Sequence, residues 1–419
     1  MAYWEAAMEA ILERVGDVDV GQATVVATVL VGAPHERPKK ETQTFRTVTR
    51  ELLDMREWFL AKGVTHVALE GTGIYWRPVY VLLEDAFDII VGNAHHIKNV
   101  PGRKTDVKDS EWLADLARHG LIKRSFVPPK PLRRVRDLLR YRRKLVESRA
   151  TERNRLLKLL ETANIKLASV VTDVFGVSGL LMLRALVEGR ATPSETAQLA
   201  RGLLRKKVGD LELALEGRLE EHHRFLLNLQ LRRLDQLDSD VALLDARIDE
   251  ALSPYQEQRQ LLEQIPGVSH ILAAVLLAEL GTDMSVFPSA RHVAAWAGVC
   301  PGNNESAGKR KATSARKGNV HLRTALVEAA VAASRKKGSY LRDKFHRLRA
   351  RRGPKRAAMA IGHKILVAAY HMLSTGTSYK DLGASYLDGL DTRRVTRNLV
   401  RRLERLGYGV TLQPKTAAA

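Results

Sequence analysis

The first 120 residues alternate between β-branched runs and apolar residues at helical spacing. Val15–Val20 and Ala23–Val31 predict two strands joined by a hairpin turn at Gly21-Gln22, and Thr42–Phe45 predicts a third strand. Beyond them the pattern predicts a helix at Val48–Lys62, a strand at Thr65–Leu69, a helix at Pro78–Glu84, a strand at Asp88–Val91 and a helix at Asp106–His119. This order indicates an α/β unit over residues 1–125.

The pattern becomes purely helical after the proline-rich segment 128–131. Leu132–Ala163 and Leu203–Glu263 predict long helical stretches that form an arm over residues 126–260. Five apolar residues of the second stretch recur at alternating three- and four-residue steps: Leu234, Leu237, Val241, Leu244 and Ile248. This spacing is typical of a coiled coil or a long antiparallel hairpin, and ordinary helices in a bundle are equally compatible with it.

A compact helical domain is predicted for residues 261–375. Ile265–Ser269 followed by the helix Ile271–Leu280 is similar to a helix-hairpin-helix element, in which backbone amides at a helix N-terminus face a phosphate; a tight structural turn is the alternative. Pro301–Asn319 has no apolar period and predicts a loop. Helices at Val320–Arg335 and Ala357–Leu373 follow, and residues 376–419 are predicted to be a basic tail.

Charge narrows the class of partner. The chain has 68 Lys and Arg against 47 Asp and Glu, a net charge of +21. Residues 123–158 contribute +11 and residues 301–360 contribute +14, which favours a polyanion held in defined grooves over two solvated helix faces. The single cysteine, Cys300, excludes a disulfide framework and a multi-cysteine zinc site. No membrane span or signal peptide is predicted, so we expect a cytoplasmic protein.

Four carboxylates of the first unit occur where an RNase H-like strand order would gather them. Asp19 and Glu70 end the first and fourth strands, which are neighbours in that fold, and Asp106 and Asp109 share a face of one helix. Crowded carboxylates repel unless a cation bridges them, and Mg²⁺ prefers oxygen ligands. Taken singly, Asp19 could be a turn residue, Asp106 a helix cap and Asp109 a solvated acid, and Asp17 competes with Asp19 for its role.

Three N-terminal stretches resemble the DEDD transposases of the IS110 insertion-sequence family, and within it the IS1111 branch. These stretches are residues 19–26, 68–76 and 103–109, and in the second half residues 265–268, 296–310 and 316–319 also resemble that family. The resemblance implies a RuvC-like nuclease domain in which Asp19, Glu70, Asp106 and Asp109 hold Mg²⁺. It also implies a nucleophilic serine, which maps onto Ser306, and a structured bridge RNA that pairs with donor and target DNA. One departure is Asp17, where the family more usually has a small residue.

Ser306 lies in a segment rich in cations. Five of its cations are suited to the negative charge that develops on a phosphate during cleavage: Lys309, Arg310, Lys311, Arg316 and Lys317. A serine hydroxyl needs a base or a metal to act as a nucleophile, and the neighbouring sequence offers no obvious base, so a phosphate-binding serine without chemistry is the alternative. Gly267 and Ser269 of the hairpin element and Arg323 complete the predicted nucleic-acid contacts. The pairs His95-His96 and His222-His223 lack companions at metal spacing and are predicted to be surface or helix-cap residues.

The combined prediction is an insertion-sequence transposase or recombinase that cleaves and rejoins DNA. We expect a dimer or tetramer in which Ser306 of one chain faces the acids of another, because a long arm separates the two groups in sequence. A RuvC-type Holliday-junction nuclease that uses only the carboxylates is the alternative enzyme. A non-catalytic scaffold for nucleic acid is the alternative outside enzymes.

Overall fold

The computed structural model describes most of the 419-residue chain: residues 9–71, 73–93, 97, 109–301, 304–306, 309–312 and 318–413. At residue 109 and at residues 304–306 and 309–312 it describes the backbone alone. The chain divides into two compact units, Met1–Val127 and Pro128–Ala419. Asp106, Arg316 and Lys317, together with His95 and His96, lie outside the described residues.

The first unit is a five-stranded sheet with helices on both faces. Its elements are β1 (Arg14–Val20), β2 (Thr24–Val31), β3 (Lys39–Arg46), α1 (Thr49–Ala61), β4 (His66–Glu70), α2 (Trp76–Leu83), β5 (Asp88–Gly92) and α3 (Asp109–Arg118). The strand order is β3-β2-β1-β4-β5; β1 and β2 are antiparallel, whereas β1, β4 and β5 are parallel. The predicted adjacency of the first and fourth strands is therefore confirmed, and the unit is a mixed α/β domain consistent with a RuvC-like fold.

Each strand divides its side chains between the two faces of this sheet. Val18 and Leu69 point to the face covered by α1 and α2 and pack in one core with Phe59. Val15 and Ala68 point to the other face and pack with residues of α3. Burying an aliphatic or aromatic side chain of this size stabilises the fold by roughly 1.5–3 kcal/mol, so both helical layers are held firmly on the sheet.

The second unit is helical apart from one short ribbon. Its helices are α4 (Lys130–Thr162), α5 (Leu167–Val170), α6 (Val177–Glu188), α7 (Pro193–Ala197), α8 (Val208–Leu215), α9 (Glu221–Ala251), α10 (Gln256–Glu263), α11 (His270–Leu280), α12 (Ala290–Trp296), α13 (Val320–Ala333), α14 (Tyr340–Arg352), α15 (Pro354–Thr375), α16 (Tyr386–Gly389) and α17 (Thr392–Arg405). Short 3₁₀ turns occur at Gly202–Lys207 and Ser253–Tyr255.

The helical stretch predicted over Leu203–Glu263 is interrupted, so that expectation was too simple. The break between α8 and α9 lies at Gly217, where a β-carbon would stand 2.5 Å from the carbonyl oxygen of Ala163. The amide of Arg218 donates to the same oxygen at 2.9 Å, which ties the turn to the end of α4. Pro254 lies in the second 3₁₀ turn and ends the long helix α9.

Helices α4 and α9 pair antiparallel within the chain. Leu139 near the start of α4 packs in a cluster with Ile248 near the end of α9, and Leu156 near the end of α4 packs with Leu227 near the start of α9. Two ion pairs, Arg142 with Asp245 and Arg149 with Asp238, follow the same seam. The arm is therefore built around a pair of long helices in one chain, and a coiled coil between copies stays a prediction.

The predicted loop and the predicted basic tail both contain regular structure. Within the predicted loop Pro301–Asn319, β6 (Asn304–Ser306) and β7 (Lys309–Ala312) form an antiparallel ribbon, which we call the serine hairpin. Its polar residues carry no apolar alternation, and for this reason the pattern gave no strand signal. The predicted tail contains the helices α16 and α17. None of the described helices is both long and apolar enough to cross a membrane.

Candidate active site

The register of the sheet brings Asp19 and Glu70 to neighbouring positions. The parallel pairing of β1 with β4 runs from Val15 with His66 to Val18 with Leu69, so Asp19 and Glu70 are the next pair in register. Adjacent strands lie about 4.8 Å apart, and both residues project to the face covered by α3. Asp19 is exposed and Glu70 is half-buried, which leaves this end of the two strands open to solvent.

Helix α3 lies across the same face and begins at Asp109. Its second residue, Ser110, is buried, and the Ser110 hydroxyl is 2.8 Å from the hydroxyl of Thr28 on β2. Thr28 is the register partner of Asp17 on β1, so this contact seats the first turn of α3 over the central strands. The backbone of Asp109 therefore lies on the carboxylate-bearing face of the sheet.

Asp17 lies two residues before Asp19 on the same face of β1 and is fully buried. Its neighbours across β1 are Thr28 on β2 and Ala68 on β4. Asp19, by contrast, lies near the end of β1 and is exposed. A ligand that arrives from solvent can reach Asp19 directly, so Asp19 is the better candidate for the first acid, and Asp17 lies beneath it in the core.

The donor set suits a hard divalent cation. Asp19 and Glu70 supply carboxylate oxygens, and Asp109 adds a third acidic residue at the start of α3. Two carboxylates in adjacent register positions repel one another in the absence of a cation, and oxygen donors are the ligands that Mg²⁺ prefers. The residues present therefore fit a divalent metal site at the ends of β1 and β4.

Glycine follows Glu70 for a steric reason. The Gly71 amide donates to the carbonyl oxygen of Gly92 at 2.9 Å, and a β-carbon at Gly71 would stand 3.1 Å from a methyl carbon of Val91 and 3.2 Å from the Gly92 oxygen. A side chain there would crowd the end of β5. The chain can therefore leave β4 directly after Glu70 without moving that strand.

Ser306 is the last residue of β6 and pairs with Lys309, the first residue of β7. The ribbon has an irregular register between Asn304 and Glu305. Lys309, Arg310 and Lys311 all lie on β7, so the backbone places Ser306 opposite a strand that carries three consecutive cations.

The two ends of the segment that carries the serine hairpin meet closely. A β-carbon at Gly318 would stand 2.4 Å from the amide nitrogen of Gly298 and 2.6 Å from its α-carbon, so only glycine fits. Gly298 itself has φ +70°, a left-handed conformation that favours glycine. The amide of Asn319 then donates to the carbonyl oxygen of Trp296 at 3.3 Å.

A buried ion cluster holds the C-terminal end of this segment. Glu279, 2% exposed, accepts hydrogen bonds from the guanidinium of Arg140 at 2.9 and 3.1 Å and from the side-chain amide of Asn319 at 2.6 Å. Arg136 lies 3.0 Å from the same carboxylate and also donates to the Glu279 carbonyl oxygen at 3.1 Å. Asn319 meanwhile caps α13 by accepting from the amide of Leu322. This cluster joins α4, α11 and the end of the serine-hairpin segment.

His321 lies beside this cluster, in the wall of a cavity of about 270 Å³ between α4, α11 and α13. Burial lowers the pKa of the His321 imidazole below its ordinary value, and the positive charge of Arg140 lowers it further. The neutral ring is therefore favoured next to the two arginines of the cluster.

The predicted helix-hairpin-helix residues have structural partners of their own. Gly267 has φ +90°, and a β-carbon there would stand 2.2 Å from the carbonyl oxygen of Ala329, so this turn packs against the backbone of α13. Ser269 is exposed and caps α11 by accepting from the amide of Leu272 at 3.4 Å. Arg323 lies half-buried on α13. Contact of these three residues with nucleic acid stays a prediction.

One histidine pair has a companion that the sequence analysis missed. Glu220, His222 and His223 each offer a ligand atom, and these atoms lie within 4.8 Å of one another, so the expectation of no companion was wrong for this pair. Its helix-cap role is present: the Glu220 amide donates to Nδ1 of His223 at 3.2 Å. In the sequence, Glu220 lies two residues before His222 at the start of α9, and this spacing could have identified the companion.

Comparison with known proteins matches both halves of the chain. A family model for DEDD transposases of the IS110 type, described as a transposase, matches residues 16–165, and one described as the transposase IS116/IS110/IS902 family matches residues 259–346. The y4pF/y4sB protein of Sinorhizobium fredii, named as a transposase, is 30% identical over 190 residues, which are 43% of this chain and 48% of that protein. The transposase for insertion sequence element IS1111A of Coxiella burnetii is 26% identical over 293 residues, which are 68% of this chain and 71% of that protein.

The acid-bearing sheet lies within the match to the first transposase model, and the helical unit contains the match to the second. The match with the first relative spans about half of that protein's length, and the match with the second spans 71%. The chain is therefore similar to the IS110 transposase family in both units, in agreement with the resemblance in its motifs.

Proposed function

We propose that this chain cleaves and rejoins DNA strands as an insertion-sequence transposase, with a carboxylate-held metal and a nucleophilic serine. The observation that carries the proposal is the parallel register of β1 with β4, which brings Asp19 and Glu70 together on the face where α3 begins at Asp109. The two family matches, in this order along the chain, support the assignment of DNA as substrate.

Each acid has a defined part in this proposal. Asp19, Glu70, Asp106 and Asp109 would hold Mg²⁺, and a divalent metal at such a site supplies positive charge to a phosphate oxygen and to a leaving oxygen. The carboxylates themselves would fix where the phosphate approaches, because Asp19 is exposed and Glu70 is half-buried at the ends of β1 and β4. Asp17 is buried in the core, two residues before Asp19 on the same strand.

Ser306 would be the nucleophile of the covalent step. Its hydroxyl oxygen forms a bond to phosphorus and loses its proton to a base, the scissile phosphorus–oxygen bond breaks, and the departing strand end takes up a proton as a free hydroxyl group. The cations on β7, with Arg316 and Lys317 beyond it, would stabilise the extra negative charge on the phosphate. Rejoining is the reverse reaction with a different strand end.

Partner choice and assembly complete the proposal. A structured bridge RNA would pair with donor and target DNA, and two or four copies of the chain would assemble, with Ser306 and the acids supplied by different copies. The basic segment 301–360 supports contact with these nucleic acids. Sequencing the nucleic acids that copurify with the chain tests the RNA, and a structured RNA encoded beside the gene is the expected result.

The sharpest test separates the serine from the carboxylates. Ser306→Ala is expected to abolish covalent protein–DNA adducts, detected by denaturing gels with end-labelled donor DNA, whereas Ser239→Ala, an exposed serine on α9, should leave them unchanged. Strand cleavage that survives Ser306→Ala without adducts would instead support the junction nuclease. Activities that all survive Asp109→Asn would support the non-catalytic scaffold.

Mixed assemblies test whether different copies build one site. Ser306→Ala and Glu70→Gln chains are each expected to be inactive alone, and a mixture of the two should recover strand exchange. Recovery requires a serine and an acid cluster from different copies. A mixture that stays inactive, although the two chains coassemble, would contradict the shared site and leave the chemistry within each chain.

A further inference from the structure

Helix α17 is an exposed element of the second unit with a regular start. None of its residues is buried, and its 14 residues correspond to about 21 Å of helix. The side chain of Asp391 closes the first turn by accepting from the Arg394 amide at 3.1 Å. The helix therefore presents its side chains to solvent.

The cations of α17 cover one half of its surface. The helix contains six arginines, no lysine and one glutamate, Glu404, for a net charge of +5. Successive residues of a helix are rotated by about 100° around its axis. Measured from Arg401, the other five arginines lie within about 80° on one side and about 100° on the other, so together they occupy half of the circumference. We call this half the arginine face; its members are Arg393, Arg394, Arg397, Arg401, Arg402 and Arg405.

The arginine face differs from the basic residues of the arm. On α4, Arg142, Arg143 and Arg149 are each paired with a carboxylate of another helix. On α17, Arg394 lies 3.4 Å from the Asp391 carboxylate, and within the described part of the chain no ion pair holds the other five arginines. Their charge is therefore available to a partner.

We propose that α17 enters the major groove of duplex DNA, with its arginine face against the phosphates on both walls. A helix with its side chains is about 10–12 Å wide, and the major groove of B-form DNA is about 12 Å wide. The arginine face spans about half of the helix circumference, so a flat anionic surface would contact only the arginines at its centre. A groove with phosphates on both sides meets all of it, and arginine can bind each phosphate through two hydrogen bonds.

The same geometry disfavours two other partners. The major groove of A-form RNA is deep and narrow, so a helix cannot enter it. A membrane surface would need the opposite side of α17, formed by Val395, Leu399 and Leu403, as its anchor. The helix contains no aromatic residue to serve as an interfacial anchor, and the vesicle measurement below tests this partner directly.

The test compares two pairs of exposed arginines in the full chain. Arg397→Gln with Arg401→Gln removes two charges from the arginine face, and Arg232→Gln with Arg233→Gln removes two from α9, where both residues are also exposed. Binding is measured by fluorescence anisotropy on a 20-base-pair DNA duplex of arbitrary sequence, over a range of salt concentrations and with EDTA to prevent cleavage. The α17 variant is expected to flatten the slope of log affinity against log salt by about 2, and the α9 variant should leave it unchanged.

Two further measurements locate and identify the partner. Guanine N7 lies in the major groove, so wild-type chain should protect it from methylation and the α17 variant should not, with adenine N3 in the minor groove unaffected. An RNA duplex of the same sequence should bind both chains alike. The proposal is overturned if the salt slopes agree, if RNA loses as much affinity as DNA, or if the α17 pair instead abolishes binding to phosphatidylserine vesicles. Because cleavage is blocked, none of these outcomes depends on Ser306 or the acids.

Discussion

The acids and the serine lie in regions that are held in place by different means. Asp19 and Glu70 lie on strands of a five-stranded sheet, where backbone ladders on both sides set the register. Ser306 lies on a two-stranded ribbon with an irregular register. The ribbon's surroundings are set by a close approach of two glycines and by Glu279, which lies on a different helix.

This difference determines how each region responds to change. A residue in the sheet is positioned by its own strand and the strands beside it, so a substitution at an exposed strand end alters chemistry more than fold. The serine hairpin depends on residues far away in sequence, such as Arg140, which is bonded to Glu279 across 139 positions. Substitutions distant from Ser306 should therefore alter both stability and the reaction.

The largest effect is expected at the sheet. Glu70→Gln removes a charge from the predicted metal site without shortening the side chain, and strand cleavage should fall at least about a hundredfold, the loss typical when a preorganised electrostatic group is removed. The melting temperature should change little, because Glu70 is half-buried at a strand end. Gel assays of cleavage and thermal unfolding provide the two measurements. Asp54→Asn, an exposed acid on α1, is the control, and equal activity in both variants would remove Glu70 from the site.

The next effect concerns the buried cluster. Glu279→Ala leaves Arg136 and Arg140 without their shared carboxylate, and removing one partner of a buried pair typically costs about 3–5 kcal/mol in the free energy of unfolding. Urea unfolding measures this loss. Glu328→Ala breaks an exposed pair with Arg143 and should cost less than about 1 kcal/mol. Similar losses in the two variants would show that the cluster does not hold the serine-hairpin segment.

A smaller effect is expected where the two glycines meet. Gly318→Ala places a methyl group against the backbone of Gly298, and the required shift should cost about 1–3 kcal/mol. The yield of covalent adduct should fall by a larger fraction than the free energy of unfolding. The reason is that a shift where Gly298 and Gly318 meet also displaces the ribbon that carries Ser306. Gly209→Ala, in a helix with no atom near the added carbon, should leave both unchanged or raise stability slightly. If the Gly318→Ala chain is destabilised but its adduct yield is unchanged, the contact of the two glycines does not position Ser306.

The smallest effect is a pH dependence at His321. Burial and Arg140 lower its pKa in the folded chain, so the unfolded chain binds this proton more readily. Stability contributed by the neutral ring is present above about pH 6.5, the ordinary pKa of histidine, and is lost as the pH falls below it. His321→Gln should unfold with a shallower loss of stability between pH 7 and pH 5 than the wild type. His371→Gln, an exposed histidine of the same unit, should match the wild type.

Prediction from sequence succeeded for elements whose signal is local. The strand ending in Asp19 and the strand ending in Glu70 contain β-branched and apolar residues, and their predicted bounds agree with β1 and β4 to within about one residue. Because the carboxyl ends of adjacent parallel strands meet at one edge, the order of elements was enough to place these two acids together.

Prediction failed where distant contacts decide the structure. The segment around Ser306 is polar, and the contacts at its ends, of Gly318 with Gly298 and of Asn319 with Glu279, leave no pattern within the segment. The prediction of a basic tail at residues 376–419 did not identify the helix α17, in which arginines outnumber the apolar residues. The basic block of the arm was assigned to a polyanion, although several of its arginines are paired within the chain.

The sequence by itself indicated the strands of the sheet and the strand ends at which acids occur, since β-propensity and alternation act between residues close along the chain. It also determined the net positive charge and the family motifs. Only the tertiary structure decided which arginines remain available and which are neutralised by carboxylates. It alone decided how the ribbon with Ser306 is anchored, because packing and ion pairing join residues that the linear order keeps more than a hundred positions apart.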